Sequence, residues 1–136
     1  MEKITNNFSM EEFTRSETAE KLGIRNEPDN RAKLAIVNLC TKLLQPLRDI
    51  YGKPIRINSG YRCPELNKAV GGVATSQHQK GEAADLSIDG KAGDLLELIE
   101  ENHLPFDQAI LYRKRNFLHV SLKLEGEQRE QIIIKQ

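Results

Sequence analysis

The hydrophobic pattern changes period near the middle of the chain. Up to Tyr51 the apolar residues recur at three- and four-residue steps, and beyond Pro54 alternation takes over. Ser9-Met10-Glu11-Glu12 has the spacing of a capping box, with Ser9 opening a short helix and Glu12 able to reach back to it. Gly23 ends the next turn. Asp29 or Asn30 then caps a long helix whose predicted buried face is Leu34, Val37, Cys40, Leu44, Leu47 and Ile50, with Gly52 as the stop. Pro46 lies inside this pattern, where the missing backbone donor predicts a kink or a division.

The second half reads mostly as strands. Ile55-Arg56-Ile57-Asn58 alternates, and Pro64 suits the first turn of a helix running to about Val70 and closed by Gly71-Gly72. Ala84, Leu86 and Ile88 alternate with Ala83, Asp85 and Ser87, which predicts a strand with one face on the core and one lining a cleft. A helix from about Ala92 to Glu101 follows. Asp107 to Tyr112 and Phe117 to Leu124 are predicted strands joined by the turn Arg113-Lys114-Arg115-Asn116, and a last strand covers about Arg129 to Lys135. Helices first and strands later predict an α+β fold, N-terminal helices packed on an antiparallel sheet. No repeat or linker divides it, so residues 1–136 are read as one domain, helical over about 8–52 and sheet-forming over about 54–136.

Composition removes several function classes. Twenty basic and twenty acidic residues balance, and no Lys/Arg run is long enough to track a phosphate backbone, which argues against a nucleic-acid partner. Lys80 and the run Arg113 to Arg115 are read as solvated loop charges. The apolar runs fall far short of the roughly 20 residues a membrane span needs, which argues against membrane insertion. Met1 to Ser9 lack a secretory pattern, so the chain is expected to be soluble and made in the cytoplasm without a signal peptide; a monomer is expected as well. A domain of 136 residues can bury a core without a metal or disulfide staple, and Cys40 and Cys63 are read as small, largely buried hydrophobes, with a disulfide the rival reading in an oxidising compartment.

The chemistry is concentrated in Ser76-Gln77-His78-Gln79-Lys80-Gly81-Glu82-Ala83-Ala84-Asp85 and, 34 residues after Asp85, in His119 of Phe117-Leu118-His119-Val120-Ser121. Two imidazoles and a carboxylate supply the nitrogen and oxygen donors that catalytic zinc prefers, leaving a position open for water. Seven residues in an unbroken strand would separate His78 from Asp85 by roughly 23 Å. The chain must therefore fold back between them, and Gly81 permits the turn. Alternation places Phe117, His119 and Ser121 on one strand face. His103 follows a helix end and fits no motif.

Ser76-x-His78-x-x-Gly81-x-Ala83-x-Asp85 with a later aromatic-x-His119-x-Ser121 resembles the zinc D-alanyl-D-alanine carboxypeptidase group, the M15 peptidases, in particular small phage- and prophage-associated members. The similarity extends through Ser59-Gly60-Tyr61-Arg62-Cys63-Pro64-Glu65-Leu66-Asn67 and Val70-Gly71-Gly72. The resemblance implies a Hedgehog/DD-peptidase-like fold with one Zn²⁺ on His78, Asp85 and His119, Arg62 stabilising negative charge on the substrate, and Ser76 and Gln77 shaping the pocket. It also implies peptidoglycan stem peptides as substrates, cut by carboxypeptidase or endopeptidase chemistry in the cell wall or periplasm. Several relatives carry Glu or Asp three residues before the final histidine as a proton carrier, where this chain has Asn116. An amide cannot do that work. Asp107 is the leading substitute, with Tyr112 and Glu82 behind it, and the alternative is a weakly active or inactive zinc-stabilised module that binds wall peptides or a phage structural partner.

Overall fold

The computed structural model describes residues 3–136; Met1 and Glu2, the start of the segment read for an export signal, lie outside the described residues. Helix α1 (Met10–Thr14) opens as its capping box requires, with Glu12 accepting from the Ser9 backbone N–H at 3.0 Å. Ser16 caps α2 (Glu17–Leu22), which ends on Gly23 in the left-handed region at φ 68°. Asp29 caps α3 (Asn30–Leu39) by accepting from the Ala32 N–H at 2.8 Å.

The long helix is neither broken nor divided at Pro46. It runs through a wide π turn (Cys40–Leu44) directly into α4 (Gln45–Tyr51), and the Gln45 N–H donates to the Cys40 carbonyl. A π turn immediately upstream accommodates the proline ring and its missing donor, so helical hydrogen bonding runs on through it. The buried face agrees with the predicted one only in part: Cys40, Leu44 and Leu47 are inside as expected. Ala32, Ala35, Ile36, Leu39 and Leu43 join them, whereas Leu34, Val37 and Ile50 are exposed. Ala32 lets α3 lie against the turn at Gly81, and Leu34 and Val37 point outward.

Five strands form one sheet in the order β1-β2-β4-β3-β5. They are β1 (Arg56–Ser59), β2 (Ala83–Ser87), β3 (Gln108–Tyr112), β4 (Phe117–Ser121) and β5 (Gln131–Lys135). The α+β reading holds, and the first four strands pair antiparallel as expected. The sheet as a whole is mixed, because β5 returns along residues 122–130 to lie parallel to β3, with Ile133 opposite Ile110. Two further helices, α5 (Pro64–Ala69) and α6 (Gly93–Glu101), lie in the connections.

One sheet face carries Ile57, Ala84, Leu86, Ala109, Leu111, Leu118 and Val120, which join Leu39, Leu43, Leu47, Leu95 and Ile99 in a shared core. The opposite face carries Ser59, Asp85, His119, Ile110, Tyr112 and Phe117, and these line a cleft of about 1050 Å³. Period-two alternation therefore separates packing from chemistry along every central strand. No helix among the described residues is long and apolar enough to cross a membrane.

Candidate metal centre

Asp85 and His119 are direct cross-strand partners on β2 and β4. Residues opposite each other in a sheet project from the same face, so strand register alone brings the carboxylate to the imidazole. His119 Nδ1 lies 2.9 Å from Asp85 Oδ1. His78 arrives from a different element, a 3₁₀ turn over Gln77–Lys80 capped by Ser76, whose hydroxyl accepts from the His78 N–H at 3.2 Å. Gly81 then turns the chain back at φ 74°, and a Cβ there would strike the Ala32 carbonyl oxygen. The fold-back demanded by the His78 to Asp85 spacing is thus built from one glycine pressed against α3.

His78 is 3% exposed, and its Nδ1 sits 2.6 Å from the Gly60 carbonyl oxygen. A carbonyl only accepts, so Nδ1 holds a proton, and the other ring nitrogen, Nε2, faces Asp85 Oδ1 3.4 Å away. A backbone acceptor on the non-ligating nitrogen is the usual device for orienting a metal-binding histidine. One donor atom from each of His78, Asp85 and His119 falls within 4.8 Å of the others. Tetrahedral zinc with bonds near 2.05 Å spaces its ligands roughly 3.3 Å apart, so the three side chains fit that ion by donor type and by spacing. Burial opposes ionisation of Asp85, but hydrogen bonds from His119 and His78 outweigh it and hold the carboxyl well below the usual range. The site presents a carboxylate, as a cation requires.

Arg62 stands beside this cluster, with Nη2 3.8 Å from Asp85 Oδ2. Its Nε donates to Ser59 Oγ at 3.2 Å and its Nη1 to Asn67 Oδ1 at 3.1 Å. Asn67, 3% exposed on α5, also donates to the Val73 carbonyl at 2.9 Å. A Cβ on Gly72 would collide with Asn67 Oδ1, so that glycine lets the loop close over the pair. Burial lowers the Arg62 pKa and Asp85 partly offsets this, while a guanidinium remains charged throughout. In the sequence Asn67 carries no signal of this role, and Gly72 reads only as the close of the helix before it.

Ser76 and Gln77 line the cleft, each with its side chain engaged by the fold. Gln77 Nε2 donates to Glu82 Oε1 at 3.2 Å, and its Oε1 accepts from Arg129 Nη2 at 3.3 Å. The structure does not bring Asp107 to the cluster. It is fully buried, does not line the cleft, and accepts from Arg129 Nη2 and the Arg129 backbone N–H, both at 2.7 Å. Period two already pairs Asp107 with Ala109 and Leu111 on the core face, which is the physical reason its carboxylate is turned away. Burial raises the Asp107 pKa, but Arg129 hydrogen bonds prevail and lower it overall. Arg129 itself, which links Asp107 to Gln77, gave no local sequence signal.

The other proton-carrier candidates divide similarly. Glu82 is buried, accepting from the Leu124 N–H at 3.2 Å and from Gln77. Asn116 adopts φ 56° in the β3–β4 turn, accepts from the Ala92 N–H at 2.8 Å and donates to the Gly90 carbonyl at 3.0 Å. Its amide fastens the turn to the start of α6. Tyr112 does line the cleft, stacked on Phe117 with ring centroids 4.4 Å apart. Cys40 is buried and Cys63 partly so, both as free thiols, with burial pushing the Cys40 thiol far up.

Residues 6–121 match the family model described as Peptidase M15. A 61-residue stretch is 39% identical to the zinc D-Ala-D-Ala carboxypeptidase of Streptomyces albus G, covering 44% of this chain and 24% of that protein. The aligned part thus spans about a quarter of the relative's length.

Proposed function

The chain belongs to the peptidase M15 family, and on that premise we propose that it is a zinc-dependent peptidase acting on the stem peptides of bacterial peptidoglycan, as a D-Ala-D-Ala carboxypeptidase or endopeptidase. The observation that carries the reading is the convergence of His78 Nε2, Asp85 and His119 Nδ1 on one point of an open cleft. The cell wall or periplasm is then its place of action, and the likeness of its motifs to small phage and prophage members makes a phage-encoded role the corresponding origin.

His78, Asp85 and His119 would hold the zinc ion, which supplies Lewis acidity toward a peptide carbonyl and lowers the pKa of water. The chain's own residues do the rest. Gly60 keeps the His78 ring in one tautomer, and Asp85, ionised, balances the cation's charge. Arg62, fixed by Ser59 and Asn67, presents charged N–H donors where negative charge develops on the substrate oxygen. Ser76 and Gln77 shape the wall beside His78. Asp107 and Glu82, committed to Arg129 and to backbone, carry no proton in this scheme, and Tyr112 is the cleft-facing member of the three candidates.

The test is digestion of purified peptidoglycan by zinc-loaded protein, with the products read by mass spectrometry. Shortened stem peptides and new free amines are expected, abolished by a chelator and by Arg62→Lys with zinc retained, because a point charge cannot reproduce the guanidinium fork. Intact peptides from a zinc-loaded protein would overturn the peptidase reading and favour the binding module, a reading that the engaged Asn116 amide keeps in play.

A further inference from the structure

The chain is electrically balanced, with 20 basic and 20 acidic residues, yet the metal cleft is not. Four arginines line it, Arg15, Arg62, Arg115 and Arg129, against two carboxylates, Glu17 and Asp85, and Asp85 belongs to the metal cluster. Two of the arginines have an acidic partner, Asp85 for Arg62 and Asp107 for Arg129, while Arg15, which shares its wall with Glu17, forms no ion pair among the described residues. Arg115 makes no ion pair among the described residues. Its guanidinium lies over the Phe117 ring, 5.1 Å from the centroid, and Phe117 in turn stacks on Tyr112. A guanidinium held over an aromatic ring has lost part of its freedom while N–H donors stay available.

Its place relative to the metal follows from the sheet. Arg62 reaches the cluster from the β1 side, whereas Phe117 precedes His119 by two residues on β4, which sets the Arg115 platform roughly 7 Å along the strand from His119. An extended peptide covers ~3.3–3.6 Å per residue, so a group about two residues from the one at the metal would meet Arg115. We propose that Arg115, on its Phe117–Tyr112 platform, is a carboxylate-recognising subsite of the cleft, and that the preferred substrate is a peptide bearing an acidic group about two residues from the bond at the metal. This rests on the peptidase reading for the substrate's class, and on the cleft alone for its charge.

Two matched peptides ending in D-alanine, differing only in glutamate or glutamine at that position, test it with zinc-loaded protein. Equilibrium binding is measured at 4 °C with peptide integrity checked afterward; where a peptide is cut, the same ratio is read from kcat/KM. Wild type is expected to prefer the glutamate peptide about tenfold, the order of a charge-assisted contact. Arg115→Gln should bring the ratio close to one, while Lys114→Gln, which removes an equal charge from the same turn, should keep it. Equal binding of both peptides by wild type, or an unchanged ratio in Arg115→Gln, would overturn the subsite. Preference without hydrolysis would sink the peptidase reading and leave the subsite standing; hydrolysis without preference would do the reverse.

Discussion

The Gly60 carbonyl, Asn67 and Gly72 act on chemistry they do not perform. The carbonyl decides which His78 nitrogen faces the cluster, and Asn67 decides where the Arg62 guanidinium rests. Asn67→Ala should keep stoichiometric zinc but slow peptide hydrolysis by roughly 10-fold or more, since Arg62 loses one of its two side-chain anchors. Kinetics at matched zinc occupancy check this, and an unchanged kcat would return Asn67 to a purely structural role. The three metal-binding candidates were legible because their residue types and spacings are unusual together. Asp107 was misread although its signal was present: the alternation that placed Phe117 and His119 on one face also puts Asp107 on the other. Arg129 was invisible, because its link to Gln77 spans 52 residues and obeys no local period.

At the scale of elements, the packing of Gly81 on α3 and the Asp107–Arg129 pair, which reaches Gln77 through Arg129, are two of the contacts that hold the metal loop in place. Gly81 sits against the α3 backbone with positive φ, so Gly81→Ala is expected to cost about 1–3 kcal/mol and to weaken metal binding together with the fold. Urea denaturation and zinc titration of the same variant check both effects. The second contact is the Asp107–Arg129 pair. Because the folded-state pKa of Asp107 is depressed, its ionisation stabilises the fold above its unfolded pKa of about 3.9, and that contribution is lost as pH falls through the lower folded value. Asp107→Asn should therefore be less stable than wild type at pH 7, with the gap closing below about pH 4. A gap independent of pH would show that the pair acts by packing alone. Helix bounds were legible from caps such as Ser9 and Asp29. The buried face of the long helix was legible only in part: Cys40, Leu44 and Leu47 face the core as expected, but Leu34 and Val37 do not, because α3 presents Ala32 and Ile36 to the turn at Gly81, a contact between residues far apart in sequence.

The whole molecule packs the long α3–α4 helix and α6 on one face of the sheet and opens the cleft on the other, which is why alternation along β2 and β4 disclosed the core and the cleft together. The parallel addition of β5 was not legible, since Ile132-Ile133-Ile134 is apolar throughout and the same run would suit either direction. Three side chains from a 3₁₀ turn and two neighbouring strands meet only once that sheet has formed, so the metal is expected to bind a structure built without it. Elemental analysis of zinc per chain in wild type and His119→Ala, each with its fold verified by circular dichroism, tests this most directly. One zinc ion per wild-type chain and almost none in a folded His119→Ala variant is the predicted result. Equal zinc content in the two proteins would contradict the assignment of His78, Asp85 and His119 as the metal centre.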